Sequence, residues 1–305
     1  MSLDTAATIA KLRGLTRKFD EGVATVSPFY PRLSTIVQST GANEEYGMLG
    51  AMPGVREWLG DRVFKSLRAL RFEIENKTWE SSIRIEKEDI EDDRLGIYGL
   101  PLAELGAEAA MHPDELFFDV LVNGETGVAM DGQTFFDNDH SWGDSGTQDN
   151  LLTYNANSHT AVTPTEFKAA YEQAVAQMLT FKNDQGKLLN RPTIGTEGNY
   201  MVVVPPALKV AAHTAFDSVI ISNSSNVVID RPTVVTSPYL TSGVKFYTFD
   251  MGGLLKPFVF QARRPLRRQM KGLDDLEFKD VKFMTDARYN VGYLAWWKAV
   301  LTEFN

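Results

Sequence analysis

The chain has 305 residues, a formal net charge of −9 and no cysteine, which excludes disulfide bonds, thiolate metal sites and cysteine nucleophiles. An excess of acidic residues argues against tight wrapping of nucleic acid, because such binding needs Lys and Arg to neutralise phosphates. The hydrophobic fraction of 43% and charged fraction of 23% are typical of a globular protein of one or two domains. No stretch approaches the roughly 18 apolar residues of a membrane helix, so we expect no membrane partner.

The first 54 residues carry mixed signals. Residues 5–18 have the pattern of a short amphipathic helix, and the chain after them is interrupted by Pro28, Pro31, Gly41 and Pro53. This combination predicts an extended arm and not a compact unit.

Residues 70–90 alternate between apolar and charged side chains, which is the period of a β-strand. The alternation changes at Asn76 and Lys77, so we predict a hairpin with one apolar and one charged face. Its apolar face includes Phe72, Ile74, Trp79, Ile83 and Ile85. A two-stranded ribbon needs a surface to pack on, and that surface belongs either to its own domain or to a neighbouring subunit.

An acidic run at 86–93 precedes a helical pattern at 95–122. Pro101 and Pro113 are expected to interrupt that pattern, since proline breaks a helix interior. Pro113 and the two acidic residues after it predict the first turn of a second helix, which ends at Asn123 and Gly124.

Residues 163–236 predict a compact lobe. Thr163, Pro164 and Glu166 form a capping box that begins a helix. Residues 200–204 are typical of a buried strand, and Pro206 predicts the start of a further helix. Strand patterns follow at 244–249, 258–262, 281–284 and 289–300. Because strand patterns lie on both sides of the lobe, we expect it to be inserted into a discontinuous domain.

The most enzyme-like feature is a loop that contains Asp131, Asp137, Asp139 and His140. Such a cluster could bind a divalent metal ion. Asp and Asn also close turns by side-chain hydrogen bonds to the backbone, and no second histidine motif lies nearby. We favour the structural role and predict no catalytic residue, no cofactor and no metal site.

A basic cluster stands out in this acidic chain. Its arginines are Arg263, Arg264, Arg267 and Arg268, and Pro265 separates them. The cluster either contacts DNA or forms a solvated or subunit-contacting patch. A specific hypothesis is that it meets the acidic run of a neighbouring subunit. The acidic residues in question are Glu88, Asp89 and Glu91.

Several short motifs occur in a fixed order along most of the chain. They are YGMLG at 46–50, WLG at 58–60, ENKTWE at 75–80, IEDDRLGIY at 90–98, HPDEL at 112–116, DGQTFFD at 131–137 and PFVFQ at 257–261. In order and spacing they resemble the Mu-like phage major head subunit family.

That resemblance implies the α+β Hong Kong 97-type capsid fold and a structural, non-enzymatic role. It implies an N-terminal arm (1–54), an extended β-hairpin loop region (55–93), a peripheral domain with a spine helix (94–162 and 237–305) and an axial domain (163–236). The apolar face of the hairpin would then contact a neighbouring subunit.

The resemblance also implies partners and a location. The chain would assemble with itself as hexamers and pentamers, with a separate scaffolding protein, a portal, and a maturation protease or decoration protein. It would contact the packaged double-stranded DNA only weakly, in the phage head after assembly in the host cytoplasm. Two alternatives stay open: a nanocompartment shell that encloses an enzyme cargo, and a metal-dependent hydrolase that uses the loop of Asp137 and His140.

Overall fold

The structure is a computed structural model that describes residues 5–49, 69–86, 88–89, 92, 96–190, 198–218, 220–221, 224–228, 230–271 and 280–305. The helices in these ranges are α1 (Thr5–Thr25), α2 (Gly96–Val122), α3 (Pro164–Thr180) and α4 (Lys209–Asp217). The strands are β1 (Ser34–Gln38), β2 (Asn43–Leu49), β3 (Ala69–Glu75), β4 (Lys77–Glu86), β5 (His140–Ser141), β6 (Thr147–Gln148), β7 (Leu151–Tyr154), β8 (Tyr200–Val204), β9 (Ile220–Ile221), β10 (Ser224–Ser225), β11 (Thr233–Thr236), β12 (Lys245–Asp250), β13 (Phe258–Lys271), β14 (Asp280–Tyr293) and β15 (Ala299–Phe304). Within these ranges no helix is both long enough and apolar enough to cross a membrane.

The first large sheet has the strand order β1-β13-β14-β4. β1 runs parallel to β13, and the other neighbours are antiparallel. Along β14 the residues of one face are buried, among them Val281, Phe283 and Ala287, while their neighbours are more exposed. One face of this sheet is therefore covered by other elements.

The second large sheet has the order β11-β8-β12-β15-β7. Every residue of its strand β8 is buried, and α3 packs against the sheet through Phe167, whose ring lies 4.7 Å from Phe246 and 6.0 Å from Phe304. Strands β7, β12 and β15 lie outside the predicted axial segment 163–236. The lobe is thus built from three separate parts of the chain, and the domain boundaries given above stay a prediction.

Helix α2 contributes side chains to two hydrophobic cores. Leu102 is buried with α1, β4 and β14 in the smaller core. Phe117 and Leu121 are buried in the larger core, which includes both large sheets. A single helix therefore connects the N-terminal part of the subunit to its main body.

The predicted breaks in α2 are wrong. The helix is continuous from Gly96 to Val122, with Pro101 and Pro113 inside it. Its end at Asn123 is as predicted. The carboxylate of Asp114, expected in a helix first turn, accepts hydrogen bonds from the backbone N–H groups of Phe29 and Tyr30 at 2.7–2.9 Å. The chain between α1 and β1 is thereby fixed to the middle of α2.

The two strands predicted at 70–90 are both present, but they do not pair with each other as a hairpin. β3 pairs with β2, and β4 pairs with β14. Asn76 separates β3 from β4 and is buried, so the chain passes here from a two-stranded ribbon into the large sheet. Alternation identified the strands, but it carries no information about which strand lies beside each of them.

The local signals in the lobe are confirmed. The Thr163 side chain accepts a hydrogen bond from the Glu166 N–H, and the Glu166 carboxylate accepts one from the Thr163 N–H. β8 matches the predicted strand, while Pro206 begins a 3-10 turn (Pro206–Leu208) that leads into α4. α1 extends seven residues beyond the predicted helix, to Thr25, because its second half packs on α2.

Glycine allows α1 and α2 to approach closely. A Cβ atom at Gly22 would lie 1.8 Å from the backbone oxygen of Ala103, and one at Gly106 would lie 2.1 Å from that of Phe19. Neither position has room for any side chain. The two glycines therefore set the distance between the helices.

We predict that Gly22→Ala destabilises the subunit by about 1–3 kcal/mol, because the added methyl group must push the two backbones apart. Gly14→Ala is the matched control: a Cβ atom there meets nothing within 4 Å. In the control, the gain in helix propensity should stabilise by about 0.5–1 kcal/mol. Denaturant unfolding of both variants measures the difference, and equal effects would show that the helices are not in this contact.

The capping box predicts a dependence of stability on acid pH. Backbone hydrogen bonding from Asn157, with further bonds from Thr163, lowers the pKa of Glu166 to about 2. A lowered pKa in the folded state stabilises the fold above the unfolded-state pKa near 4.5, and this contribution is lost as the pH falls towards 2. We expect Glu166→Gln to lower the unfolding midpoint at neutral pH and to lose less stability than the wild type on acidification.

The control for this experiment is Glu172→Gln, on the same helix but outside the capping box. Denaturant midpoints measured at neutral pH and at about pH 3 give the comparison. A wild type and Glu166→Gln variant with parallel pH profiles would contradict the prediction.

Candidate assembly surfaces

The β2–β3 hairpin is a two-stranded ribbon outside both large sheets. Tyr46 and Phe72 face each other across it, with ring centroids 5.1 Å apart. The Tyr46 hydroxyl donates to Gln261 Oε1 at 2.9 Å and so joins the ribbon to β13. Residues 50–68, including the WLG motif at 58–60, lie outside the described residues.

The root of this ribbon is fixed by buried polar contacts. Asn76 Nδ2 donates to Ser39 Oγ at 2.7 Å and to the Gly41 oxygen at 3.0 Å. Glu44 Oε1 accepts the backbone N–H groups of Thr40 and Gly41, and these bonds hold the pKa of Glu44 below its ordinary value. The sequence signal for this junction is the break in alternation at Asn76, a signal that also predicts a hairpin turn.

Two of the five apolar residues proposed for contact with a neighbour are used inside the subunit. Ile74 is 7% exposed and packs near Val259, and Ile85 is 0% exposed in the smaller core. Within the isolated subunit these two side chains expose little or no surface to a neighbour, and their inter-subunit contact stays a prediction. Phe72, Trp79 and Ile83 are half-buried, and for them too it stays a prediction.

The acidic residues of the proposed contact are only partly described. Glu88 is exposed. Asp89 accepts a hydrogen bond from the Tyr98 hydroxyl at 2.5 Å, which raises the pKa of Tyr98. Glu91 lies outside the described residues.

The basic cluster lies on strand β13. The strand is irregular on both sides of Arg264, in the segment that contains Pro265, which explains how proline fits into a sheet. Arg264 forms an ion pair with Asp286 on β14, and Arg267 lies 3.2 Å from the same carboxylate. Arg268 pairs with Asp20 of α1 at 2.8 Å. Three of the four arginines therefore connect elements within the subunit.

Arg263 differs from the other three arginines. It is exposed and donates one hydrogen bond to the backbone oxygen of Ser39 at 3.1 Å. Of the four arginines it is the one whose charge is not paired with a described carboxylate, so it is the best placed to meet a neighbour.

The loop with the enzyme-like residues is a buried structural element. His140 Nδ1 lies 2.6 Å from Asp131 Oδ2, and the two side chains are 0% and 3% exposed. The His140 ring stacks on Trp296 at 3.9 Å with an angle of 2° between the planes. Asn150 Nδ2 donates to the Phe135 oxygen at 2.8 Å and binds the loop to the core.

The remaining carboxylates of this loop lie in local turns. Burial raises the pKa of Asp137, but hydrogen bonds from Thr134 and Asn138 outweigh burial and hold it below its ordinary value. The hydrogen bond with Asp137 raises the pKa of Asp139. Within the described ranges, no group of three or more His, Asp and Glu residues is arranged to hold a metal ion. The geometry accounts for these residues through packing and turn closure.

A family model described as the Mu-like prophage major head subunit gpT matches residues 9–167 and 160–240. The chain belongs to this family. Its members are structural head subunits and not enzymes.

Two members of this family are similar to this chain in sequence. The Mu-like prophage FluMu major head subunit of Haemophilus influenzae (strain ATCC 51907 / DSM 11121 / KW20 / Rd) is 40% identical over 130 residues, which are 43% of this chain and 42% of that protein. The major capsid protein of Escherichia phage Mu is 39% identical over 137 residues, which are 45% of each chain. The alignments thus span less than half the length of these curated relatives.

Solved structures of the same fold include phage shells and a virus-like particle. The procapsid protein of bacteriophage JBD30 has a TM-score of 0.52 and 24% identity, over 97% of this chain and 74% of the other. The mature capsid protein of bacteriophage PhiM1 gives 0.59 and 14%, over 92% and 88%. The virus-like particle protein from Pyrococcus furiosus gives 0.57 and 11%, over 95% and 98%. The expected α+β Hong Kong 97-type capsid fold is therefore confirmed.

The ion pairs of the basic strand lead to a prediction about head-subunit stability. Arg264→Glu places a second carboxylate beside that of Asp286, so we expect it to destabilise the isolated subunit by about 1–3 kcal/mol. Arg263→Glu, one residue away and exposed, is the matched control and should change stability by less than about 0.5 kcal/mol. Thermal unfolding of both variants measures this.

A charge exchange tests whether the ion pair is the cause. Adding Asp286→Arg to Arg264→Glu should restore part of the lost stability, although the new arginine would then face Arg267. If the Arg263→Glu and Arg264→Glu variants unfold at the same temperature, the ion pair between Arg264 and Asp286 does not stabilise this part of the sheet.

Proposed function

We propose that the chain is the major capsid protein of a Mu-like tailed phage or prophage, and that it assembles with copies of itself into an icosahedral shell around double-stranded DNA. The observation that carries the proposal is the match to the major head subunit family over residues 9–240. The fold supports it, since 97% of the chain superposes on a procapsid protein.

The two-stranded β2–β3 ribbon supports assembly on physical grounds. Two strands alone are marginal in water, and both outer edges of this ribbon lie outside the large sheets. A neighbouring subunit would cover such a ribbon and pair with an edge strand of it. We propose that hexamers and pentamers form through this contact and through the exposed Arg263.

The domain roles and further partners belong to the same proposal. We retain the arm, the extended loop, the peripheral domain and the axial domain with the boundaries predicted above, although the ribbon begins at Asn43 and so reaches into the predicted arm. A separate scaffolding protein, a portal, and a maturation protease or decoration protein would complete the head. The place of the protein would be the phage head, after assembly in the host cytoplasm.

The net charge of −9 bears on the packaged DNA. An acidic wall repels phosphates and allows DNA to move past it, so contacts would be weak and non-specific. A nanocompartment shell of the same fold would instead enclose a protein cargo. The contents of purified shells distinguish these two possibilities.

Electron microscopy and light scattering of the purified protein, with and without the candidate scaffolding protein, test the proposal. We expect closed shells, or rings of hexamers and pentamers, from the wild type. A monomer or dimer under every condition would contradict the capsid function.

The same assay tests the role of Arg263. We expect Arg263→Glu to reduce shell yield while the subunit stays folded, because the reversed charge repels an acidic neighbour. Arg263→Ala is the matched control, since it removes the hydrogen bond to Ser39 without reversing the charge and should have a smaller effect. Normal shells from Arg263→Glu would exclude the basic-to-acidic contact and leave the capsid function intact.

A further inference from the structure

A groove lies between α2 and the strands β4 and β14, with a cavity volume of about 210 Å³. Its wall is aromatic. The centroids of the Trp79 and His112 rings are 4.4 Å apart. Both side chains also contact Tyr289. Trp79 Nε1 donates to the backbone oxygen of Tyr289 at 3.1 Å, and His112 Nδ1 lies 2.7 Å from the Tyr289 hydroxyl. These contacts hold the wall in one arrangement.

Aliphatic side chains continue the wall. Leu105 and Ala109 of α2 face Leu266 of β13 across the opening. All three are half-buried, so apolar surface remains in contact with solvent. A surface of this kind favours an apolar side chain or the aliphatic stem of a long polar one.

The charge of the groove is entirely negative. Glu108 and Glu115 lie on the same face of α2 as His112, at helical spacing, with Glu80 on β4 and Asp286 on β14. Among the residues that the structure describes, no lysine or arginine lines it. Burial lowers the pKa of His112, so its ring is uncharged at neutral pH and does not offset the carboxylates.

The carboxylates that line the groove differ in the ion pairs and hydrogen bonds that they form within the subunit. Asp286 is paired with arginines of β13, and Glu80 accepts the Ser82 hydroxyl at 2.9 Å. Glu108 is exposed and forms no salt bridge or hydrogen bond with any residue that the structure describes. Its charge is available to a ligand.

The combination selects one kind of occupant. Nucleic acid and other anions are repelled, and a purely apolar segment would desolvate carboxylates without pairing them. A basic side chain satisfies both parts of the groove, because its stem packs on the aliphatic wall and its charged group meets Glu108 and Glu115 over the face of Trp79. We propose that this groove docks a basic segment of a separate partner protein.

A second copy of the chain is a poorer occupant. The described arginines Arg264, Arg267 and Arg268 are already paired within the subunit, and Lys245 and Lys298 pair with Glu125 and Asp250. Arg263 remains as an exposed cation that a second copy offers, but the chain is acidic overall, so two copies repel each other at a distance. A basic partner is attracted from a distance, which favours a separate protein.

The test uses the unassembled full-length chain, so it does not depend on shell formation. The probe is a short fluorescein-labelled peptide in which arginine and leucine alternate, and fluorescence anisotropy measures its binding. We expect the double variant Glu108→Gln/Glu115→Gln to bind the probe about five- to tenfold more weakly. Glu104→Gln, exposed on the same helix outside the groove, is the matched control and should bind like the wild type.

Two further measurements keep the result interpretable. Circular dichroism must show that all variants are folded, which we expect because Glu108 and Glu115 are not buried. A second peptide with glutamine in place of arginine should lose binding to the wild type, since the charge is then absent.

The proposal is overturned if the probe does not bind, or if Glu104→Gln weakens binding as much as the double variant, since attraction would then come only from the net charge. It is also overturned if the double variant, without any peptide, loses a self-association that Glu104→Gln retains. That result would assign the groove to a second copy of the chain.

Discussion

The structure depends on the continuity of helix α2 across two hydrophobic cores. Pro113 removes one backbone hydrogen bond from the helix interior, at a cost of about 3 kcal/mol. Burial of three side chains of the helix offsets this cost. Leu102 is buried in the smaller core and Phe117 and Leu121 in the larger one, and each such side chain stabilises the fold by about 1.5–3 kcal/mol when fully buried. Packing outweighs the proline, so the helix stays whole and joins two regions that a break would have made independent.

The same helix directs the path of the N-terminal segment. α1 docks where Gly22 and Gly106 allow backbone contact, and Asp114 then captures the N–H groups of Phe29 and Tyr30. The chain next enters β1, which adds a parallel strand to β13. Two anchors along α2 and the pairing with β13 therefore convert a segment with weak sequence signals into a fixed edge of the sheet.

The sequence predicts the structure correctly where the interaction is local. The capping box of Thr163 and Glu166 involves residues three positions apart, and the chain alone determines it. The prediction fails where the partner is distant. Alternation identified β3 and β4 correctly, but their partners β2 and β14 lie on opposite sides of them in the chain, and no period within 70–90 encodes that choice.

Other failures came from signals with two meanings. Proline followed by acidic residues is typical of a helix start, yet Asp114 uses its carboxylate to cap a different segment of chain. Pro265 separates the arginines of the basic cluster in the sequence, and the structure places them all in one strand with register shifts on both sides of Arg264. The spacing of Glu108, His112 and Glu115 was visible in the sequence, but their common groove requires knowledge of the sheet beneath α2.

The distribution of charge connects the fold to the proposed shell. The paired cations act between elements: Arg268 joins β13 to α1, Arg264 joins β13 to β14, and Lys245 joins β12 to the turn after α2. Cations used in this way leave carboxylates such as Glu88 and Glu108 facing outward in a chain of net charge −9. An acidic surface suits a wall that must not retain DNA, and it also means that specific association needs a positive charge supplied from elsewhere. In the two proposals made above, the exposed Arg263 supplies such a charge for contacts between copies, and the acidic groove receives a basic partner.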